Sequence, residues 1–204
     1  TTVRFNLKTA TVMSIFGRNG SGKSTLLKIL FGTLKADTLV LKIDGKQVNP
    51  RHNMVNQHIS YLPQHPFLPK RLRVRDIVPI MHPGEEQQDA IFYDPHIAAI
   101  ATKNVWELSL GESKYLGVTL LGHLPHPFML LDEPFSMLEP QLVHTMKQFL
   151  NKVKKRKGII ITDHYYRDVL DIADTNFVIK DGISHSVETE NELKEFDYLK
   201  KSNN

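Results

Sequence analysis

The chain has no cysteine among its 204 residues, a single tryptophan, and no apolar run near the ~18–20 residues of a membrane-spanning helix. Without thiols there is no disulfide framework and no thiolate metal site, which fits a cytosolic setting. The first residues lack the basic-then-apolar pattern of a secretory leader. There is no internal repeat and no low-complexity tract. The ten histidines never fall in a metal-ligand spacing such as H-E-x-x-H. Net charge is also small: a formal +4 permits contact with anionic lipid or nucleic acid without arguing for either. What is left is an ordinary globular composition, 41% hydrophobic and 24% charged, long enough for one domain with a small inserted lobe. The chain opens at Thr1 rather than methionine, which fits a trimmed version of a longer protein.

What the chain does have is concentrated in Gly17-Arg18-Asn19-Gly20-Ser21-Gly22-Lys23-Ser24-Thr25. An apolar run, 11–16, precedes it and a second, 26–31, follows, so the order is strand, glycine loop, helix. The spacing is G-x-x-x-x-G-K-[ST]. A phosphate chain needs several backbone N–H groups pointed at it from close range. Glycines permit that approach, and a helix start adds free donors and partial positive charge. Lys23 then reaches the outer phosphates, and Ser24 offers its hydroxyl to a magnesium ion. The stretch predicts binding of a nucleoside triphosphate.

The flanking pattern predicts the fold class. Residues 3–7 alternate apolar and polar and read as a half-buried strand. Residues 39–43 are closed by Asp44-Gly45, a hairpin signal, and 59–62 form a short strand ended by Pro63. Prolines 66, 69, 79, 83 and 95 then break the chain into brief helices at 75–81, 85–92 and 96–101. Residues 116, 120 and 124 carry leucine at helical spacing. Strands at 128–131, 158–162 and 175–180 alternate with helices at 140–156 and 165–172, which implies a parallel sheet with helices on both faces. Asp181-Gly182 marks a last hairpin, and 190–201 a final polar helix.

Two further stretches carry chemistry. Phe128-Met129-Leu130-Leu131-Asp132-Glu133-Pro134 ends a buried strand with two carboxylates, at the sheet edge where ligands of parallel sheets bind. Asp132 is suited to hold magnesium, directly or through water, and Glu133 to orient or deprotonate an attacking water. Ser109-Leu110-Gly111-Glu112 is locally a capping box, S-x-x-E, that opens a helix.

In order and spacing, the glycine loop, Tyr61-Leu62-Pro63-Gln64, Leu108-Ser109-Leu110-Gly111-Glu112, Leu130-Leu131-Asp132-Glu133-Pro134 and Ile161-Thr162-Asp163-His164 together resemble the nucleotide-binding domain of ABC-type ATPases. The resemblance runs from about Val3 to Ile183. It implies an α/β P-loop NTPase with a mostly parallel central sheet, an antiparallel β edge subdomain and an inserted helical lobe. The implied division is a RecA-like ATP-binding core with its β subdomain at 1–64 and 125–204, and a helical signature subdomain at 65–124. Two such domains would stack head to tail around two ATP molecules with Mg2+. By that analogy, residues 17–25 bind one ATP, while Ser109 and Gly111 touch the γ-phosphate held by the partner domain. Ser24, Gln64 and Asp132 would serve the metal. Glu133 would be the catalytic base, Gln64 would sense metal and water, and His164 would contact the γ-phosphate. Residues 136–139 would run along the dimer seam. The resemblance further implies ATP hydrolysis driving a separate transmembrane transporter subunit, a homodimer or heterodimer, no nucleic acid, and a cytoplasmic position at the inner face of the cell membrane. The block 165–170 loosely resembles the branch serving lipopolysaccharide and branched-chain amino-acid transport.

Several positions depart from the family pattern. Leu110 stands where glycine is usual, Glu112 replaces the commoner glutamine, and Glu139 replaces aspartate in the seam. Glu112 adds negative charge near phosphate unless it points back to cap its helix. Phe5 reads as too close to the loop and too buried to stack on adenine, so the stacking residue is expected to be missing from this chain or to lie before Thr1. The basic run Lys152, Lys154, Lys155, Arg156 and Lys157 reads as a solvated helix end. The cluster Lys70, Arg71, Arg73 and Arg75 fits solvated surface and partner or membrane contact equally. Trp106 and Met129 are expected in the core. Three rival readings share part of the pattern: a DNA-maintenance ATPase, which would place a long coiled coil between Lys23 and Leu108; a small-molecule kinase, which would want an arginine-bearing lid; and a module that binds ATP with reduced turnover, which Leu110 would suit.

Overall fold

Short, continuously apolar segments bounded by turn residues pair into the central layer of the chain. The computed structural model describes residues 3–196 and 198. β1 (Thr11–Phe16) leads through the glycine loop into α1 (Lys23–Phe31). A two-stranded hairpin follows, β2 (Leu41–Ile43) and β3 (Lys46–Val48), forming its own antiparallel sheet. Its turn residues Asp44 and Gly45 both have positive φ, 50° and 76°, as a tight hairpin turn requires. A 3-10 turn (Pro50–His52) and α2 (Asn53–Asn56) then bring the chain to β4 (Ile59–Leu62).

Four helices intervene before the next strand: α3 (Val74–Met81), α4 (Glu85–Phe92), α5 (Pro95–Ile100) and, after a 3-10 turn (Val105–Glu107), the long α6 (Leu110–His123). β5 (Phe128–Asp132), α7 (Pro140–Lys154), β6 (Gly158–Thr162), α8 (Tyr166–Leu170), β7 (Thr175–Lys180), β8 (Ile183–Val187) and α9 (Glu190–Glu195) complete the chain. The main sheet has the order β4-β5-β6-β1-β7-β8, parallel throughout except for the β7–β8 hairpin. The expected α/β class, mostly parallel sheet and separate antiparallel pair are all present.

The two-residue period of the strands divides the core in two. Met13 and Ile15 face α1, where Leu27 and Leu30 join Leu130, Ile160 and Ile179. Val12 and Phe16 face the opposite layer with Met129, Leu131, Ile159 and Ile161, against Leu116 and Leu120 of α6 and Leu150 of α7. Each such fully buried side chain contributes about 1.5–3 kcal/mol.

Several local expectations needed correction. Residues 3–7 form no regular strand, although Val3, Phe5 and Leu7 do pack inward. Alternation decides which side is buried, but a ladder needs a neighbouring backbone. Here the amide of Arg4 donates to the Ser184 hydroxyl instead. β2 begins at Leu41, leaving Val40 exposed. Met129 is buried, but Trp106 is 66% exposed, because the 3-10 turn that carries it sends Val105 inward. Lys157 is not solvated. It is 2% exposed and donates to the carbonyls of Leu124 and His126. Helices 140–156 and 165–172 end early, at Lys154 and Leu170. The last helix stops at Glu195, and the end of the stretch expected to continue it lies outside the described residues.

Candidate nucleotide site

The parallel order β4-β5-β6-β1 sets the C-terminal ends of four strands along one edge, and each end delivers polar side chains. From β1 comes the loop 17–22. Gly22 caps α1 at φ 97°, a left-handed conformation that a side chain would strain. Lys23 is only 8% exposed, and its ammonium donates to the carbonyls of Gly17 (2.6 Å) and Arg18 (3.3 Å). Burial lowers its pKa, while the nearby carboxylates of Glu133, Asp132 and Asp163 oppose that shift. The Ser21 hydroxyl is buried and makes no hydrogen bond. A cleft opens over Gly17, Arg18, Asn19, Gly20 and Ser21, bounded on its far side by the β7–β8 turn, Phe196 and Tyr198.

Next to the loop, Asp132 is 1% exposed and heavily engaged. Its Oδ1 accepts from Ser24 Oγ (3.1 Å) and Thr162 Oγ1 (2.7 Å), and its Oδ2 accepts from Tyr61 Oη (3.3 Å). Burial and the adjacent Asp132 charge together push the Tyr61 phenol pKa well up, so it stays a donor. Glu133 follows at φ 55°, unusual for a residue with a side chain. Its amide donates to Thr162 O (2.7 Å), and its Oε1 accepts from Gln64 Nε2 (2.9 Å). His164 Nε2 lies 3.4 Å from the same oxygen. Thus Gln64, Glu133 and His164, separated by 69 and 31 positions in sequence, meet at one carboxylate oxygen.

The Ser109 corner is built separately. Ser109 Oγ accepts from the Glu112 amide (3.0 Å), and Glu112 Oε2 accepts from the Ser109 amide (2.7 Å), the reciprocal capping box that starts α6. Glu112 is also paired with Lys103 (3.0 Å), so its charge points back into its own helix start. Gly111 packs directly on the segment 136–139: a Cβ there would lie 2.9 Å from the Met137 carbonyl. Leu110 is 53% exposed and lines a cleft with Gln64, Glu133 and Met137. Among the described residues, no hydrogen bond joins Ser109 or Gly111 to residues 17–25.

Three residues of the site had no role assigned from sequence. Thr162 and Asp163 lie within the Ile161-Thr162-Asp163-His164 motif. Asp163 is fully buried, accepting from the amides of Phe135 (2.7 Å) and Tyr165 (3.0 Å). Burial raises its pKa against those hydrogen bonds. Lys114 gave no signal at all. It reaches from α6 to the Glu133 carbonyl (2.6 Å) and to Ser136 Oγ.

The donor set suits a triphosphate with a hard cation. A glycine cradle, an orphaned serine hydroxyl and a lysine bonded only to loop carbonyls can all be turned toward phosphate oxygens. Ser24 and Asp132 offer oxygen donors within one bonded pair. No group of three or more His, Asp or Glu among the described residues could hold a metal ion by itself. A magnesium ion would complete its shell with phosphate and water, as that ion usually does.

An α/β fold with a glycine loop after its first strand and an acidic pair ending a parallel strand two places away defines a P-loop NTPase. The profile of the family described as ABC transporter matches residues 1–136, and the chain belongs to that family, as an ATP-binding domain. Among curated relatives, the lipopolysaccharide export ATP-binding protein LptB of Haemophilus influenzae is 28% identical over 185 residues, 84% of this chain and 76% of that protein. The thiamine import ATP-binding protein ThiQ of Vibrio parahaemolyticus is 30% identical, covering 79% and 73%. Solved structures share the fold. The ATP-binding subunit of an ABC transporter aligns with TM-score 0.82 at 19% identity, over 98% of this chain and 88% of that one. A dimeric cassette bound to ADP and Pi after hydrolysis aligns at 0.76 and 20% identity, over 92% and 90%. Among the described residues, no helix is long and apolar enough to cross a membrane.

Proposed function

We propose that this chain hydrolyses ATP and, paired head to tail with a second ATPase domain, drives a separate transmembrane transporter subunit from the inner face of the membrane. The observation that carries the hydrolytic part is the shared oxygen of Glu133, flanked by Gln64 and His164 at the end of β5. In this reading, the amides of loop 17–22 hold the β- and γ-phosphates, and Lys23 exchanges its two loop carbonyls for phosphate oxygens. Glu133 takes the proton of the attacking water as the bond from the γ-phosphorus to the leaving oxygen breaks. Gln64 orients that water, and His164 donates toward the γ-phosphate. A Mg2+ ion held by Ser24, Gln64 and Asp132 would neutralise charge on the β- and γ-oxygens.

Ser109 and Gly111 would meet the γ-phosphate of the partner domain. The capping geometry of Glu112 supports this, since its charge is tied to the Ser109 amide and Lys103 rather than directed outward. The close approach of Gly111 to the Met137 carbonyl supports a seam at 136–139 that would connect the two sites. The resemblance of 165–170 to the lipopolysaccharide branch, together with the LptB relatives, supports placing the chain there.

The test is phosphate release beside nucleotide titration for wild type, Glu133→Gln and Lys23→Ala. Glu133→Gln should lower turnover by about 10²–10⁴, the usual contribution of a positioned base, while keeping ATP affinity and trapping a dimer in sizing chromatography. Lys23→Ala should abolish nucleotide binding. Undiminished phosphate release from Glu133→Gln would place the base elsewhere.

A further inference from the structure

Glu133 is held in a conformation it would not choose. A non-glycine residue in the left-handed region costs about 1–3 kcal/mol and persists only where its surroundings fix it. Here both backbone polar groups are fixed. The amide donates to Thr162 O on β6, and the carbonyl accepts from Lys114 Nζ at 2.6 Å. The same ammonium contacts Ser136 Oγ, which itself donates to the Glu133 carbonyl (3.1 Å). The loop 133–136 is therefore gathered around one cation.

That cation comes from a different part of the fold. Lys114 sits in the second turn of α6, five positions after the Ser109 cap, and is partly buried. Burial lowers the Lys114 pKa, and Asp163, Glu133 and Asp132 lie close enough to oppose part of that shift, as they do for Lys23. Lys23, however, belongs to the glycine loop, and its charge would be shared with phosphate once a nucleotide binds. Lys114 would then be the cation left to the acidic strand ends.

We propose that Lys114 is a positioning residue for Glu133, holding the Glu133 carbonyl so that its carboxylate stays on Gln64 and His164 and linking the Ser109 end of α6 to the base. The proposal rests on Glu133 acting in hydrolysis. Movement of α6 as the Ser109 corner closes on a nucleotide is passed to the base through one ammonium, so turnover depends on Lys114 while ATP affinity does not.

The experiment compares Lys114→Met, which keeps the apolar stem, with Lys114→Arg and wild type in steady-state hydrolysis and ATP titration. Lys114→Met should lose about tenfold or more in kcat with ATP affinity within about threefold, and Lys114→Arg should recover most of that loss. A Lys114→Met kcat within about twofold of wild type overturns the proposal, as does a loss that appears only in affinity. Ser136→Ala removes the hydroxyl bridge without touching a charge. If Lys114→Met folds poorly, Ser136→Ala should show the same split, and an unchanged kcat refutes the link. Hydrogen exchange of the nucleotide-free chain gives a readout independent of turnover. Peptides spanning 133–136 should exchange faster in Lys114→Met while those of α7 do not, and unchanged protection counts against the clamp. If Glu133→Gln hydrolyses like wild type, the hydrolytic assignment fails on its own, and exchange still scores the clamp.

Discussion

Asp163 ties together the two loops that carry Glu133 and His164, and its replacement has a cost that can be worked out atom by atom. The side chain is fully buried and spends one oxygen on each of two amides. In Asp163→Ala both lose their acceptor, but unequally. Phe135 is 1% exposed, so its amide has no access to water, and an orphaned buried donor costs about 1–3 kcal/mol. Tyr165 is 52% exposed, and its amide can turn to solvent at little cost. Against this stands a gain. Burial raises the Asp163 pKa, so the folded chain carries that charge at a penalty, and removing the carboxylate returns it. The net loss is therefore smaller than that cost, under about 3 kcal/mol, or under roughly 12 °C in Tm for a chain of this size. Asp163→Asn should lose less, because its oxygen can serve Phe135 while its amide faces the amide that can rehydrate. The pH dependence follows in sign. A carboxyl with a folded pKa above its unfolded value of 3.8 binds protons preferentially in the folded state, so its penalty fades as pH falls into that window. The deficit of Asp163→Ala relative to wild type should therefore widen on acidification. Thermal melts of the three proteins at neutral pH and near pH 5 decide the matter. Asparagine as damaging as alanine, or a deficit that narrows in acid, would refute the accounting.

Two other predictions address parts of the fold away from the nucleotide site. Burial, helped by Arg156, lowers the His123 pKa to about 4, so between 6.5 and about 4 the folded chain binds fewer protons than the unfolded one and loses stability as pH falls. A shift of that size corresponds to about 3 kcal/mol, reduced to about 1–2 because the ring is only partly enclosed; His123→Gln should flatten the fall of Tm with pH across that window. Gly32 ends α1 at φ 97°, and a Cβ there would lie 2.2 Å from the Pro50 carbonyl. Gly32→Ala combines left-handed strain with a backbone clash and should cost about 2–4 kcal/mol in denaturant unfolding, and a loss under about 0.5 would contradict the packing.

The strands were legible where a parallel strand buried on both faces must be a short apolar run, as 128–131 and the isoleucines of 158–162 are. The glycine loop and the acidic strand end were legible because their chemistry needs particular residues at fixed spacing. What resisted reading was set by partners distant in sequence. Trp106 looks like core by composition, but one turn of 3-10 helix gives the inward position to Val105. Lys157 looks like the last of five solvated cations, yet it directly precedes β6. There the backbone is drawn against Pro127 through Gly158, and the ammonium is left to satisfy the carbonyls of Leu124 and His126.

Lys114 shows the same limit most sharply. In sequence it is one polar residue in a helix start, indistinguishable from a surface lysine. Only the crossing of α6 over the end of β5 brings its four-carbon stem to the Glu133 carbonyl. The motifs specify which groups could perform the chemistry, but one of the two contacts that hold the Glu133 backbone comes from a residue outside every motif. A variant that keeps every motif and changes Lys114 therefore separates the two contributions. If positioning were already complete in the motif residues, such a variant would turn over like wild type.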